Sequence, residues 1–220
     1  MNELVLASNS PRRRELLSLG GWAFISRPAD VDESQHSGEA PATYVLRLAE
    51  TKARTCAAGA STGQVILGAD TAVVDGNALL GKPRDSRAAL EMLKNLRGHT
   101  HQVLTGLVVL RPADGARITD LCVTDVPMRA YRDDEIEAYV ATGDPLDKAG
   151  AYAIQDAAFH PVEGLRGCYA SVMGLPLCHL TRSLRRLGIA PRTDIARECQ
   201  SALKYACPIS SAVLRGEMVD

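Results

Sequence analysis

Aromatic residues are scarce: one Trp, two Phe and six Tyr make up 4% of the 220 residues. A core must therefore be packed from Leu, Val, Ile and Ala. No run of aromatics interleaves with basic residues, which argues against a single-strand nucleic-acid platform. An excess of either charge is also missing. The 25 Lys and Arg are balanced by 26 Asp and Glu, for a formal net charge of -1. That balance argues against sequence-independent binding of nucleic acid, so local clusters matter and the total does not. No segment has about 18 consecutive apolar residues, and no membrane span is expected. The start lacks a basic stretch followed by an apolar run of signal-peptide length, so a soluble cytoplasmic protein is the expectation. Six cysteines, Cys56, Cys122, Cys168, Cys178, Cys199 and Cys207, lack the paired spacing of metal ligands and are read as reduced thiols. There is no internal repeat and no low-complexity segment.

What is present is 46% hydrophobic residues, enough for a full core in one domain or in one domain with two lobes. The run Leu4-Val5-Leu6-Ala7 suits a short buried strand. Ser10 can cap a following helix, with Pro11 in its first turn. A second apolar stretch covers residues 22–26, an acidic loop follows at Asp30, Asp32 and Glu33, and residues 41–58 suit a helix. Residues 65–70 suit a buried strand that stays extended to 74 before the turn Asp75-Gly76-Asn77. A helix is expected over 86–96 with Asp85 as its cap. Strands follow at 102–110 and 118–129 around the hairpin turn Asp114-Gly115. A helix over 133–142 ends at Gly143, a strand is expected at 167–173, and Leu177, Leu180, Leu184 and Leu187 mark a helix between Pro176 and Gly188. The order of elements predicts an α/β protein with a mixed sheet. A composition break at Ala190-Pro191 separates a main domain, 1–188, from an extension, 189–220. The extension is expected to hold one helix near 194–205 and a poorly anchored end.

Several residues are candidates for chemistry. Ser8, Ser10, Arg12 and Arg13 surround the mouth of the first helix, where free N–H groups and guanidinium forks can hold a phosphate chain. The bland alternative is a capped surface helix with solvated arginines. Asp70 ends a buried strand, where α/β sheets gather ligands. It can bind a hard cation or accept a proton from water, or serve only as a cap or turn residue. Glu33 can supply a further oxygen ligand or belong to a solvated loop. Lys52 follows Val45, Leu48 and Ala49 on the buried stripe of its helix and either snorkels or reaches a ligand cleft. Lys82 is preset by Gly81 and Pro83. His99 and His101 suit surface or hydrogen-bonding roles better than metal ligation. The turn-rich segment from Asp144 to Gln155 holds two carboxylates, Lys148 and an amide able to read a pyrimidine edge. The alternative is a structural loop in which Asp147 and Lys148 bond to nearby backbone.

Together these segments resemble the Maf-like nucleotide pyrophosphatases, also called septum formation inhibitor proteins. The resemblance rests on Ala7-Ser8-Asn9-Ser10-Pro11-Arg12-Arg13, Leu48-Ala49-Glu50-Thr51-Lys52-Ala53, Gly68-Ala69-Asp70-Thr71, Gly81-Lys82-Pro83 and His101-Gln102-Val103-Leu104-Thr105-Gly106. It continues through the segment from Asp147 to Gln155 and through Val172-Met173-Gly174-Leu175-Pro176-Leu177. It implies an elongated mixed sheet in two lobes with a central cleft, like the inosine triphosphate pyrophosphatases. It implies hydrolysis of a nucleoside triphosphate to the monophosphate and pyrophosphate with a divalent cation, Mg2+ or Mn2+. Asp70 matches the family's proton acceptor. Arg12, Thr71 and Gln155 match positions tied to substrate choice, in the pattern of the dTTP and UTP branch. Arg13, Lys52 and Lys82 match phosphate-contacting positions, and Glu33 matches a carboxylate beside the metal with Asp70. A homodimer follows from family analogy alone, and no nucleic-acid or membrane partner is implied. Arg97, where serine is usual, and Asp156, where glycine is usual, depart from the family pattern near expected cleft loops. The competing function is a non-catalytic nucleotide-binding regulator of cell division, which would keep the basic site but need no ionised Asp70.

Overall fold

Six strands form one mixed sheet in the computed structural model, which describes residues 3–219. They are β1 (Glu3–Leu6), β2 (Phe24–Ser26), β3 (Gln64–Asp75), β4 (Ala78–Leu80), β5 (Thr100–Arg111) and β6 (Ala116–Pro127). Their order is β2-β1-β3-β5-β6, with β4 paired to the far end of β3. β1 runs parallel to β2 and β3, while β4, β5 and β6 add antiparallel pairs. The mixed sheet matches the expectation. β3, β5 and β6 have twelve residues each, so each spans about 40 Å at roughly 3.3 Å per residue. The helices are α1 (Pro11–Ser18), α2 (Pro41–Ala57), α3 (Ser86–Leu96), α4 (Asp133–Ala141), α5 (Tyr169–Val172), α6 (Leu177–Arg185), α7 (Ile195–Leu203) and α8 (Ser210–Leu214). None is long and apolar enough to cross a membrane.

Side chains alternate between the faces of a strand, and here the alternation divides the core. On one face Leu67, Ala69, Leu107 and Val109 join a core with α1 and α6. Further along the same face Val73, Val103 and Val126 join a second core with α3 and α4. Between the two cores, on that same face, stand Thr71 and Thr105, paired across β3 and β5. The opposite face is covered by α2. It approaches the sheet over Gly68 and Gly106, where an added Cβ would lie 2.0 Å from the Ala49 carbonyl oxygen and 2.9 Å from Val45.

Two expectations from the sequence are corrected. Residues 167–173 form a loop and the short helix α5, not a strand. Ser171 and Val172 donate locally to the Cys168 carbonyl, and the segment lies across β5 and β6 instead of joining them. The extension is anchored as far as α8, which packs on α6 with Val213 fully buried, whereas Met218 beyond it is exposed. Arg182 Nη1 holds the Glu217 carbonyl at 2.7 Å.

Candidate active site

The edge of β3 has a gap. β1 pairs with Gln64–Leu67 and β4 with Val73–Asp75, so residues 68–72 have β5 on one side and no strand on the other. Asp70 points to the α2 face and Thr71 to the opposite face, yet both open into the same cleft through this gap. The cleft holds a cavity of about 260 Å³.

Amphipathic α2 buries Val45, Leu48, Ala49, Lys52, Ala53 and Cys56. Lys52 is therefore carried to the sheet by the apolar residues around it, and the close approach at Gly68 brings its ammonium to Asp70. Nζ lies 2.6 Å from Asp70 Oδ1 and 2.6 Å from Glu33 Oε1. Lys52 is 8% and Asp70 7% exposed, whereas the Glu33 side chain is largely in solvent. Burial raises the Asp70 carboxyl above the ordinary aspartate range. Lys52 and Arg13 oppose that rise, and the Glu33 charge adds to it.

At the mouth of α1, Ser10 caps the helix by accepting from the Arg13 backbone N–H at 3.4 Å, with Pro11 in the first turn. The Arg13 side chain turns into the molecule. Its Nε donates to the Gly174 carbonyl at 2.9 Å, Nη2 to Thr71 Oγ1 at 3.2 Å and Nη1 to Ser8 Oγ at 3.4 Å. A guanidinium has five N–H groups, so two remain for a ligand. Burial disfavours this charge, and Asp70 and Glu33 support it.

The fold brings Ser10, Arg12, Arg13, Glu33, Lys52, Asp70, Thr71, Lys82 and Gln155 to this one cleft. Ser8 is not in its lining. It is buried behind the helix mouth, where it accepts from Ser10 N–H and Arg13. Arg97 and Asp156 also lie outside the lining. Arg97 pairs with Asp133 at 2.6 Å, and Asp156 Oδ1 accepts from the Ala158 and Phe159 N–H groups.

Sequence reasoning overlooked the apolar wall formed by Val73, Val103, Tyr152, Ile154, Val172 and Met173. Tyr152 is held by His101, whose Nε2 lies 2.8 Å from the phenol oxygen. Burial pushes the His101 imidazole down to about 4, so it is neutral at pH 7. Lys148 lines the cleft but is already committed. Its three ammonium hydrogens meet the Asp144 carbonyl, Asp144 Oδ1 and Asp147 Oδ1 at 2.7, 2.9 and 2.7 Å. The contact with the Asp144 carbonyl matches the structural-loop alternative for this segment, while the other two are with side-chain carboxylates instead of backbone. The alternation of β3 and β5 was the signal that could have placed Val73 and Val103 beside Thr71.

Residues 3–187 match the family described as Maf-like protein. The chain belongs to that family. A dTTP/UTP pyrophosphatase of Anaeromyxobacter dehalogenans is 51% identical over 187 residues, which cover 84% of this chain and 94% of that protein. One from Geotalea uraniireducens is 48% identical over 187 residues, covering 85% and 96%. Among solved structures, a nucleoside-triphosphatase / dITP/XTP pyrophosphatase of Mycobacterium abscessus superposes with a TM-score of 0.41 at 14% identity, covering 84% of this chain and 94% of that chain. The family match of this Maf-like chain stops before α7 and α8, which pack on α5 and α6.

Proposed function

We propose that this chain is a dTTP/UTP pyrophosphatase, which hydrolyses these nucleotides to the monophosphate and pyrophosphate. The observation that carries the reading is the Asp70–Lys52–Glu33 cluster at the open edge of β3, inside a cleft rimmed by Arg12, Arg13 and Lys82. A triphosphate carries about four negative charges near pH 7; the four cationic side chains, set against the Asp70 and Glu33 carboxylates, offset part of them, and a divalent cation would offset the rest. The curated relatives, about half identical over most of the chain, support the same activity.

In this reading Asp70 orients a water molecule and accepts its proton as the water attacks the α-phosphorus. A carboxylate with a raised pKa is the stronger base for that step. Pyrophosphate leaves along the cationic rim, where Lys52, Arg13 and Lys82 balance the charge that builds on the phosphate oxygens. In this reading the apolar wall supports the base, and the amide of Gln155, which lines the same cleft, donates to one base carbonyl.

A divalent cation, Mg2+ or Mn2+, suits the donor set. Glu33 Oε1 and Asp70 Oδ1 both meet the Lys52 ammonium at 2.6 Å, so a cation held by these residues would use their other carboxylate oxygens; Mg2+ is commonly held by one or two carboxylates together with substrate phosphates. No set of three or more His, Cys, Asp or Glu among the described residues is arranged to hold a metal, so phosphate oxygens would complete the coordination. Bound there, the cation would supply charge neutralisation at the phosphate.

A panel of nucleoside triphosphates with Mg2+, scored for pyrophosphate release, tests the reading. UTP and dTTP are expected to lead, and tight binding without release would favour a non-catalytic regulator. Gln155→Glu is expected to narrow the kcat/KM advantage of UTP over other nucleotides by about tenfold, because a carboxylate cannot donate to a base carbonyl. An unchanged profile would remove Gln155 from base recognition.

A further inference from the structure

Thr105 is fully buried at the seam between the two cores. Its hydroxyl has one hydrogen to give. Its Oγ1 lies 2.9 Å from the Ser171 carbonyl oxygen, which can only accept, and 2.9 Å from Thr71 Oγ1. Both contacts carry a hydrogen only if Thr105 donates to Ser171 and Thr71 donates to Thr105. The reverse orientation leaves the contact with Ser171 empty and turns the Thr71 proton out of the network. Arg13 Nη2, 3.2 Å from Thr71 Oγ1, can only donate. Donation therefore runs from Arg13 to Thr71 to Thr105 to Ser171, and each bond polarises the next in one direction.

We infer that Thr105 is a positioning residue that makes Thr71 an acceptor towards the substrate base, favouring uracil and thymine over cytosine; this rests on the dTTP/UTP reading above. Thr71 gives its hydrogen to Thr105 and one lone pair to Arg13. One lone pair is left to offer a ligand, at a side chain that lines the cleft beside Val73 and Val103. Uracil and thymine carry a hydrogen on N3 that this lone pair can accept. Cytosine N3 is itself a bare acceptor, and cytosine also replaces the carbonyl at position 4 with an amine. An acceptor facing an acceptor is the kind of mismatch that discriminates strongly.

The test is Thr105→Val, which keeps the volume and removes the acceptor for the Thr71 hydrogen. The Ser171 carbonyl stays bonded to Gly174 N–H at 2.8 Å, so the fold keeps that contact. The freed Thr71 hydroxyl can then donate to cytosine N3. The ratio of kcat/KM for UTP to that for CTP is expected to fall about tenfold, mainly through a lower KM for CTP. Thr105→Ser, which keeps the hydroxyl, is expected to hold the wild-type ratio. In a Thr71→Val background, adding Thr105→Val is expected to change the ratio no further. The inference is overturned by an unchanged ratio in Thr105→Val, by an equal loss in Thr105→Ser, or by a further fall in the double variant. A wild-type protein that releases no pyrophosphate from UTP would instead overturn the underlying reading, a result separable from all three.

Discussion

Asp70→Asn is expected to lower kcat for UTP by at least about a hundredfold, the low end of what a general base contributes. The amide keeps the shape of the carboxylate and loses the ability to take a proton. Lys52 keeps Glu33 as a partner at 2.6 Å, so the ammonium is not left unpaired and the protein should still fold. A thermal melt alongside the rate separates lost chemistry from lost structure. Turnover near the wild-type value would remove Asp70 from its role. The same group sets the pH profile of the unaltered enzyme. A base must be ionised to work, and burial raises the Asp70 carboxyl. Titrated without a cation, the Asp70 carboxyl should therefore lie above the ordinary aspartate value of about 3.9, and Mg2+ should draw it down by favouring the charged form. Activity should be lost as pH falls through the Asp70 pKa of the loaded enzyme. A metal-free value at or below the ordinary one would contradict the buried, desolvated setting.

The second large effect is on stability. Gly68→Ala would set a Cβ 2.0 Å from the Ala49 carbonyl oxygen and 2.9 Å from the Ala53 Cβ. Both neighbours belong to α2, and one is backbone, so the helix itself must retreat. Overpacking costs about 1–3 kcal/mol, and a clash with backbone belongs at the upper end. For a chain of this size about 3 kcal/mol corresponds to a Tm lower by roughly 6–12 °C. Lys52 sits between Ala49 and Ala53 in sequence, so retreat of α2 also draws its ammonium away from Asp70. Turnover should fall together with Tm. Gly63→Ala is the control, because nothing lies within 4 Å of the Cβ it would add. Equal melting temperatures for the two variants would show that the contact between α2 and β3 tolerates a methyl group.

Much of the site could be read along the chain because its signals are local. Ser10 and Pro11 announce the start of α1, and both do what their chemistry suggests. Lys52 falls on the stripe set by Val45, Leu48 and Ala49, and the structure buries it there. Asp85 caps α3 as expected, with its carboxylate accepting from Ala88 N–H at 2.7 Å. Elsewhere local pattern misled. Residues 167–173 have the composition of a buried strand, but their burial comes from lying across the sheet, and composition cannot separate the two. The end of the extension reads as poorly anchored, yet Val213 finds the space beside α6. Ser8 belongs to the same motif as Ser10 and Arg12, but the turn of the chain sets it behind the cleft, where it steadies Arg13.

The chain's order of residues alone marked most of the strands and helices, residues 167–173 apart, and it marked the cationic and acidic side chains worth watching. Periodicity and capping act over a few residues, so they survive in one dimension. Only the tertiary structure decided that β1 stops and β4 starts so as to leave residues 68–72 open, that two glycines admit α2, and that Thr105 directs the hydroxyl of Thr71. Those outcomes depend on contacts between residues tens of positions apart, whose energies exist only once the strands are paired and the helix is laid upon them.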